Sequence, residues 1–193
     1  SLKVNTLKEF IALAQANPGK FNYGSPGVGA SNQLMAELFK MAAKTDITNV
    51  IYNGGGGELI TAMLGGEIQM IMIAVPTVQA FIKSGQLRAL AITTDGRRSP
   101  ALPEVPSFSE AGIPGMTIYT WIGLSGPGGT PREVVSKLHA EVVKAIAVPS
   151  VKEKFAGLGG EVVGSSPEEF STLIRNEIRR WTEVVKAAGI PQQ

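Results

Sequence analysis

The sequence predicts an α/β fold with a mainly parallel sheet. Strand candidates alternate with helical segments over residues 1–95, and glycine-rich loops follow the first two strand candidates. This alternation is typical of βαβ units. Hydrophobic residues make up 44% of the 193 residues and charged residues 18%, as expected of a protein that buries a core.

The first elements follow from helix-capping and turn signals. Thr6 and Glu9 have the spacing of a capping box, and the apolar residues after them follow a helical period. Pro18 and Gly19 end this helix. A short strand at 21–23 leads into a glycine loop, and Ser31 is predicted to cap the second helix.

Further strands and short helices complete this half of the chain. Four glycines, 54–57, are interpreted as a flexible turn, although they would also let a ligand approach closely. A short helix is predicted at 58–64, and another begins at Pro76. The remaining strands are predicted at 47–52, 69–74, 87–93 and 117–124.

The second half begins with an irregular connector rich in proline and glycine, over residues 95–115. Two helices follow, and Thr130 and Ser166 are predicted to cap them, each followed by proline and a capping-box glutamate. Trp121 lies on a predicted strand and Trp181 on an apolar helix face, so both are expected in a core.

Composition excludes several classes of site. The net charge is only +2 and the basic residues are dispersed, so no nucleic-acid partner is predicted. Cysteine is absent and His139 is the only histidine, which excludes thiol chemistry and a metal site of nitrogen and sulfur ligands. No cofactor is predicted. The sequence shows neither a transmembrane run nor a signal peptide, so export would require a targeting segment outside it.

The loop from Gly24 to Ser31 resembles a phosphate-binding loop but lacks its key residue. Ala30 stands where the Walker A motif has lysine, and Asn32 stands where a dinucleotide fingerprint has its third glycine. Backbone amides, a helix N-terminus and the hydroxyls of Ser25 and Ser31 would instead suit a small carboxylate. A tight turn without a ligand is equally consistent with the spacing.

Binding rather than catalysis is predicted. No G-x-S-x-G nucleophile motif occurs, and the glutamates do not form an evident acid–base pair. His139 is interpreted as a solvated or boundary side chain. In a parallel sheet the glycine loop, Gly54 and Thr77 would all lie near the carboxyl ends of the strands, where ligands bind.

Several long stretches resemble one known family. These are "TLKEFIALAQANPGKFNYGSPGVGASNQLMAELFK", "MLGGEIQM", "GQLRALAITTDGRRSPALPEVPSFSEAGIPG", "WIGLSGPGGTPREVVSKLHAEVVKA" and "VGSSPEEFSTLIRNEIRRWTEVVKAAGI". The family is the Bug (TctC-like) family, the periplasmic substrate-binding proteins of tripartite tricarboxylate transporters. The resemblance implies a two-domain, type II periplasmic-binding-protein (flytrap) fold. It also implies a small organic carboxylate as ligand, membrane transporter components as partners, a periplasmic location and no catalysis.

The resemblance also implies which residues contact the ligand. Ile73 stands where many family members have an aspartate that pairs with a ligand ammonium, so a plain carboxylate is favoured over an amino acid. Asn53 replaces a common lysine. The predicted ligand-binding residues are Ser25, Gly27, Val28, Gly29, Ala30, Ser31, Asn53, Gly54, Ile73 and Thr77.

Compared with the family, the chain is expected to be a truncated form. Residues 1–118 correspond to the second, ligand-binding α/β domain, and residues 119–193 to a strand and C-terminal helical segment that would complete the first domain. Such a chain is expected to bind carboxylate weakly, and it could self-associate. The alternatives are a ligand-sensing effector domain of a transcription regulator, which shares the flytrap architecture, and, less favoured, a nucleotide-dependent transferase.

Overall fold

The computed structural model describes residues 2–157 and 160–191, which fold into two compact units. The first contains the residues up to Tyr119 together with those from Glu183 onward, and the second is Thr120–Thr182. The assignment of residues 1–118 and 119–193 to two domains of the family fold stays a prediction.

The first unit is built on a three-stranded parallel sheet, with β1 at its centre and the order β2-β1-β3. This confirms the predicted α/β class. The strands are β1 (Phe21–Ser25), β2 (Ile47–Ile51) and β3 (Met70–Ile71). The helices of this unit are α1 (Leu7–Ala16), α2 (Ser31–Ala43), α3 (Gly55–Gly65) and α4 (Val75–Lys83).

Helices cover both faces of the sheet. Tyr23 of β1 contacts α2, because its hydroxyl donates to Glu37 at 2.6 Å. The next residue, Gly24, points the other way: a Cβ placed there would lie 2.6 Å from side-chain atoms of Leu59 in α3 and of Ile68. Successive strand residues face opposite sides of a sheet, so α2 and α3 lie on opposite faces. The sheet is therefore doubly wound, as in nucleotide- and ligand-binding α/β folds.

Each face of the sheet has its own apolar core. On the α3 face, Leu59, Ala62 and Ile68 are at most 3% exposed, and partly buried side chains of β2 and β3 pack against them. On the other face, Phe39 of α2 packs between Phe10 and Phe108, with ring centroids 6.4 and 5.9 Å apart.

Two predicted strands are not formed. In 87–93 only Ile92 is paired, by an isolated bridge to Ser107, and 117–124 has no strand in the described chain. Ile118 does donate its N–H to the Thr93 carbonyl at 2.9 Å. Both segments are rich in apolar and β-branched residues. A strand also needs continuous pairing with a neighbouring strand, and the described residues provide only isolated backbone contacts here.

Helix boundaries also differ from the predictions. Helix α2 begins at Ser31 itself, with Ala30 as its cap, so Ser31 is not the capping residue. Helix α3 begins at Gly55, so three of the four glycines form its first turn and not a flexible loop. Gly55 has a φ of +73°, a conformation that glycine adopts without strain.

The second unit consists mainly of helices. These are α5 (Arg132–Ala147), α6 (Pro149–Gly157), which was not predicted, and most of α7 (Pro167–Ala187). Helix α7 begins with the predicted capping box: Ser166 Oγ accepts from Glu169 N–H, and the Glu169 carboxylate accepts from Ser166 N–H at 2.8 Å. Thr130 does not cap α5, because Pro131 holds that position and the Thr130 hydroxyl donates to the Pro127 carbonyl.

The tryptophans of this unit do not lie in a closed core. Trp121 is 41% exposed and packs edge-to-face on Phe170, with ring centroids 5.2 Å apart. Trp181 is half-buried, and its indole N–H donates to Glu177 at 2.8 Å. The expectation of buried tryptophans is therefore wrong for Trp121. Across residues 2–157 and 160–191, no helix is long and apolar enough to span a bilayer.

Candidate functional site

Three helices begin at the carboxyl edge of the sheet, each after one of the parallel strands. Helices α2, α3 and α4 follow β1, β2 and β3, and their N-cap residues are Ala30, Gly54 and Ala74. None of these residues has a side-chain oxygen that could accept from the first-turn amides. Helix α1 of the same unit is capped in the ordinary way, since Thr6 Oγ1 accepts from Glu9 N–H at 3.2 Å. Helix starts whose N-cap residue has no side-chain acceptor are thus gathered where α/β proteins bind ligands.

Ser25 ends β1 and is completely buried. Its hydroxyl donates to Asn49 Oδ1 of β2 at 2.9 Å, and its carbonyl accepts from Tyr52 N–H at 2.9 Å. The sequence predicted that the Ser25 hydroxyl would donate to a ligand, but in the structure it donates to Asn49 of the neighbouring strand. Ser25 therefore ties together the strand ends beneath the loop.

The glycine loop lies above this strand end. Gly29 has a φ of +74°, which suits glycine, and its N–H donates to Gln33 Oε1 at 2.7 Å. Val28 is 42% exposed at the tip of the loop, and Gly27 accepts weakly from Ala30 N–H at 3.4 Å. Ser31 is exposed in the first turn of α2. Its hydroxyl and the first amides of α2 are the donors that this loop presents.

The start of α3 already holds a carboxylate from its own chain. Glu58 Oε2 accepts from Gly54 N–H at 2.6 Å. Asn53 precedes it in an exposed turn. A negative side chain at a helix N-terminus is stabilising, and here it takes the place that a ligand anion would occupy. The open ends are therefore those of α2 and α4.

The starts of α3 and α4 lie side by side. A Cβ placed on Gly56 would lie 3.9 Å from both Ile73 Cδ1 and Thr77 Cγ2. Asn32 of α2 donates through Nδ2 to the carbonyl of Met72, the residue before Ile73. The structure therefore brings the glycine loop and Thr77 to one edge, as the parallel-sheet argument predicted, and Ile73, which only the family resemblance indicated, lies there too.

Three residues of this edge were not among the predicted site residues. Asn32 connects two helix starts, Gln33 holds Gly29, and Glu58 caps α3. Glu58 carried a readable signal, because a glutamate in the first turn commonly reaches back to the preceding amides. The contact of Asn32 joins residues that are 40 positions apart, and no local pattern identifies such a contact.

The hydrogen-bond donors at this edge are of the kind that suits an anion. The first amides of α2 and the Ser31 hydroxyl supply donors and partial positive charge. At the start of α4, Pro76 has no N–H and the Thr77 N–H donates to the Ala74 carbonyl at 3.1 Å, so that end offers the Val75 N–H and the Thr77 hydroxyl. His139 lies far along the chain in the second unit, half-buried on α5. Among the described residues, no cluster of three or more histidine or acidic side chains is arranged to hold a metal ion.

Comparison with known proteins agrees with this chemistry. The profile of a family described as "Tripartite tricarboxylate transporter family receptor" matches residues 2–190. A protein encoded in the tcbD-tcbE intergenic region of a Pseudomonas species is 36% identical over 180 residues, covering 93% of this chain and 53% of its own. BugT of Bordetella pertussis is 32% identical over 188 residues, covering 97% and 57% of the two chains.

Solved structures with the same fold include carboxylate complexes. An R. palustris protein solved with adipate has a TM-score of 0.82 and 32% identity, covering 98% of this chain and 63% of its own. MatC from Rhodopseudomonas palustris, solved with bound malate, has a TM-score of 0.75 and 29% identity, covering 93% and 62%.

This chain thus spans about half the length of its curated relatives. The matched family is described as a receptor family and the structural relative BugD, 27% identical, as a periplasmic binding protein; both names support the prediction of a binding protein and not an enzyme. The profile match runs through both compact units and nearly the whole sequence. On this evidence, the chain belongs to the tripartite tricarboxylate transporter receptor (TctC) family of solute-binding proteins.

Proposed function

We propose that this chain forms one side of a binding site for a small organic carboxylate, in a periplasmic protein that delivers its solute to a tripartite tricarboxylate transporter in the membrane. The observation that carries the proposal is the set of helix starts without side-chain caps at the carboxyl edge of the sheet. The adipate and malate bound by structural relatives support the ligand class. The relatives described above are not transcription regulators by name, so they give no such support to the alternative of an effector domain.

The proposed contacts are the first amides of α2, the Ser31 hydroxyl and the start of α4 near Thr77. Gly27 to Ala30 would shape the loop around one carboxylate, and Ile73 would contact the apolar part of the ligand. Asn53 and Gly54 would lie at the margin, because Glu58 accepts from Gly54 N–H.

The affinity expected of this chain is low. One helix N-terminus contributes at most about 2 kcal/mol to binding an anion. Two such ends give at most about 4 kcal/mol, which corresponds to a Kd no tighter than about 1 mM, whereas micromolar binding needs about 8 kcal/mol. The rest would come from the part of the longer relatives that this chain does not span.

A matched pair of ligands tests the proposal. Adipate and 2-aminoadipate differ only in an ammonium group, which Ile73 cannot pair with. In a ¹⁵N-HSQC titration of this chain, we expect adipate to shift the amides of Ser31 and Asn32 with millimolar affinity, and 2-aminoadipate to bind more weakly. The variant Ile73→Asp should reverse this preference.

Each part of the proposal can be contradicted by a different result of this titration. Absence of adipate-dependent shifts at the start of α2 would contradict the site itself. Micromolar binding of adipate would contradict the requirement for a second binding surface. Equal affinity for both ligands would contradict the role assigned to Ile73.

A further inference from the structure

A buried chain of polar side chains lies beneath the glycine loop, on the α2 face of the sheet. Gln33 is 8% exposed, and its Oε1 accepts from the N–H of Gly29 at 2.7 Å. The amide that bends back to the loop comes from the first turn of α2. The loop is therefore fastened to the helix that follows it.

Gln33 adjoins a second group of buried polar side chains. Its amide lies beside the hydroxyl of Tyr23, which is fully buried at the centre of β1, and lowers the pKa of that phenol against the larger opposing effects of burial and Glu37. The Tyr23 hydroxyl donates to Glu37 Oε1 at 2.6 Å, and burial together with that carboxylate raises the pKa of Tyr23. The phenol thus stays protonated and remains a donor.

The network ends at a cation. Lys40 Nζ lies 2.9 Å from Glu37 Oε1, and it also lies 5.6 Å from the centre of the Tyr23 ring. Lys40, Glu37 and Tyr23 are thus bonded in series, and the Gln33 amide that holds Gly29 lies next to this series at the Tyr23 hydroxyl. Buried polar groups that are bonded in this way are rigid, because moving one member leaves others without partners.

We propose that Gln33 is a positioning residue of the carboxylate site: by binding the Gly29 amide it fixes the glycine loop in the shape that leaves the first amides of α2 open. This inference rests on the proposed function and adds to it. The Gly29 N–H then serves the loop and not the ligand. The Tyr23 hydroxyl and Glu37 orient the Gln33 amide, so that its oxygen faces Gly29.

A matched pair of substitutions tests the inference. Gln33→Met removes the amide and keeps a side chain of similar size. Gln69→Met is the control, because Gln69 Oε1 also accepts from a main-chain N–H, that of Asn22 at 2.9 Å, near the opposite end of β1. Adipate affinity is measured for both by ¹⁵N-HSQC titration, with the melting temperature and the exchange rate of the Gly29 amide recorded for each.

We expect Gln33→Met to weaken adipate binding about tenfold and to speed exchange at Gly29, since one buried hydrogen bond is lost. Gln69→Met should change neither. If both variants weaken binding in proportion to their loss of stability, Gln33 is only structural and the inference is overturned.

A second variant covers the case in which Gln33→Met does not fold. Tyr23→Phe keeps the ring and removes only the hydroxyl that orients Gln33, and we expect it to weaken adipate binding and speed Gly29 exchange to a smaller extent. Unchanged binding and exchange in Tyr23→Phe would overturn the inference. If unmodified protein shows no adipate shifts, the proposed function fails, while the Gly29 exchange rates still decide whether Gln33 holds the loop.

Discussion

At the scale of single residues, Ala30 is a position where one substitution tests both helix stability and the proposed ligand binding. Its backbone is extended, with φ −63° and ψ 148°, as an N-cap requires, but it has no side-chain acceptor. We expect Ala30→Asp to stabilise the protein by about 1 kcal/mol and to abolish adipate binding, because the new carboxylate would occupy the first amides of α2. Urea denaturation and the HSQC titration measure the two effects.

The control for this prediction is the capped helix of the same unit. Thr6→Ala removes the α1 cap and should cost about 1 kcal/mol with no change in adipate binding. If Ala30→Asp binds adipate as well as the unmodified chain does, the first amides of α2 are not part of the site.

Gly24 shows that a glycine can be required by packing alone. Any Cβ at this position would lie 2.6 Å from Leu59 Cδ2 and Ile68 Cδ1. We expect Gly24→Ala to destabilise the first unit by about 1–3 kcal/mol in urea denaturation, because the α3 face is overpacked. Gly57 in α3 has open space around its Cβ position, so Gly57→Ala should be neutral or stabilising. Equal losses would show that the contact to α3 is not the cause.

At the scale of elements, the capping box of α7 predicts a pH dependence. The backbone N–H of Ser166, followed by its hydroxyl, lowers the pKa of Glu169 below its ordinary value of 4.5. A carboxylate with a depressed native pKa stabilises the fold fully above the unfolded value, and this contribution is lost as pH falls through the native pKa. We therefore expect the helix to lose stability below pH 4.5.

The variant Glu169→Gln isolates this effect. It retains a side-chain acceptor but cannot titrate, so the melting temperature of the second unit should fall less steeply with acidification than in the unmodified chain. Calorimetry at a series of pH values measures the slopes. Parallel slopes would mean that the acid sensitivity arises elsewhere.

The elements also show how far sequence reasoning extends. β1, β2 and the starts of α1 and α7 were predicted because their signals are local: a capping box, a β-branched run, a proline–glycine stop. Residues 117–124 carry the same β-branched and aromatic signal but form no strand in the described chain, since pairing depends on a distant neighbour. The glycines at 55–57 join α3 despite their low helix propensity.

In the candidate site too, features with a local sequence signal were predictable and contacts between distant residues were not. The glycine loop and its helix start were readable as a donor-rich turn, and the parallel sheet predicted that Thr77 would share its edge. The commitment of the Ser25 hydroxyl to Asn49 was not readable, because Asn49 lies on another strand. The contacts made by Asn32 and Gln33 likewise depend on how the helix packs on the sheet.

At the scale of the whole molecule, the second unit exposes several large apolar side chains. No residue of α5 or α6, helices described in full, is buried. Soluble monomers seldom expose contiguous apolar patches of more than a few hundred Å². The most exposed large apolar side chains of this unit are Ile122, Val163, Leu124 and Ile178, which are 93%, 80%, 70% and 61% exposed.

We expect this chain to self-associate as its concentration rises, through the exposed apolar side chains of the second unit. Sedimentation velocity measures the change in mass. The double variant with Ile122→Ser and Leu124→Ser should weaken association, whereas Met41→Ser with Leu64→Ser, two exposed apolar positions of the first unit, should not. A chain that stays monomeric at high concentration would contradict the prediction.

The strand order has a consequence for the route by which the first unit folds. β1 pairs with residues of β2 that are 26 positions away (Phe21 with Ile47) and with residues of β3 that are 47 positions away (Tyr23 with Met70). Closing the longer loop costs about 0.5 kcal/mol more chain entropy. β3 has two residues paired with β1, so few hydrogen bonds offset that loss of entropy. In refolding followed by pulsed hydrogen exchange, we expect the amides between β1 and β2 to become protected before those that join β3.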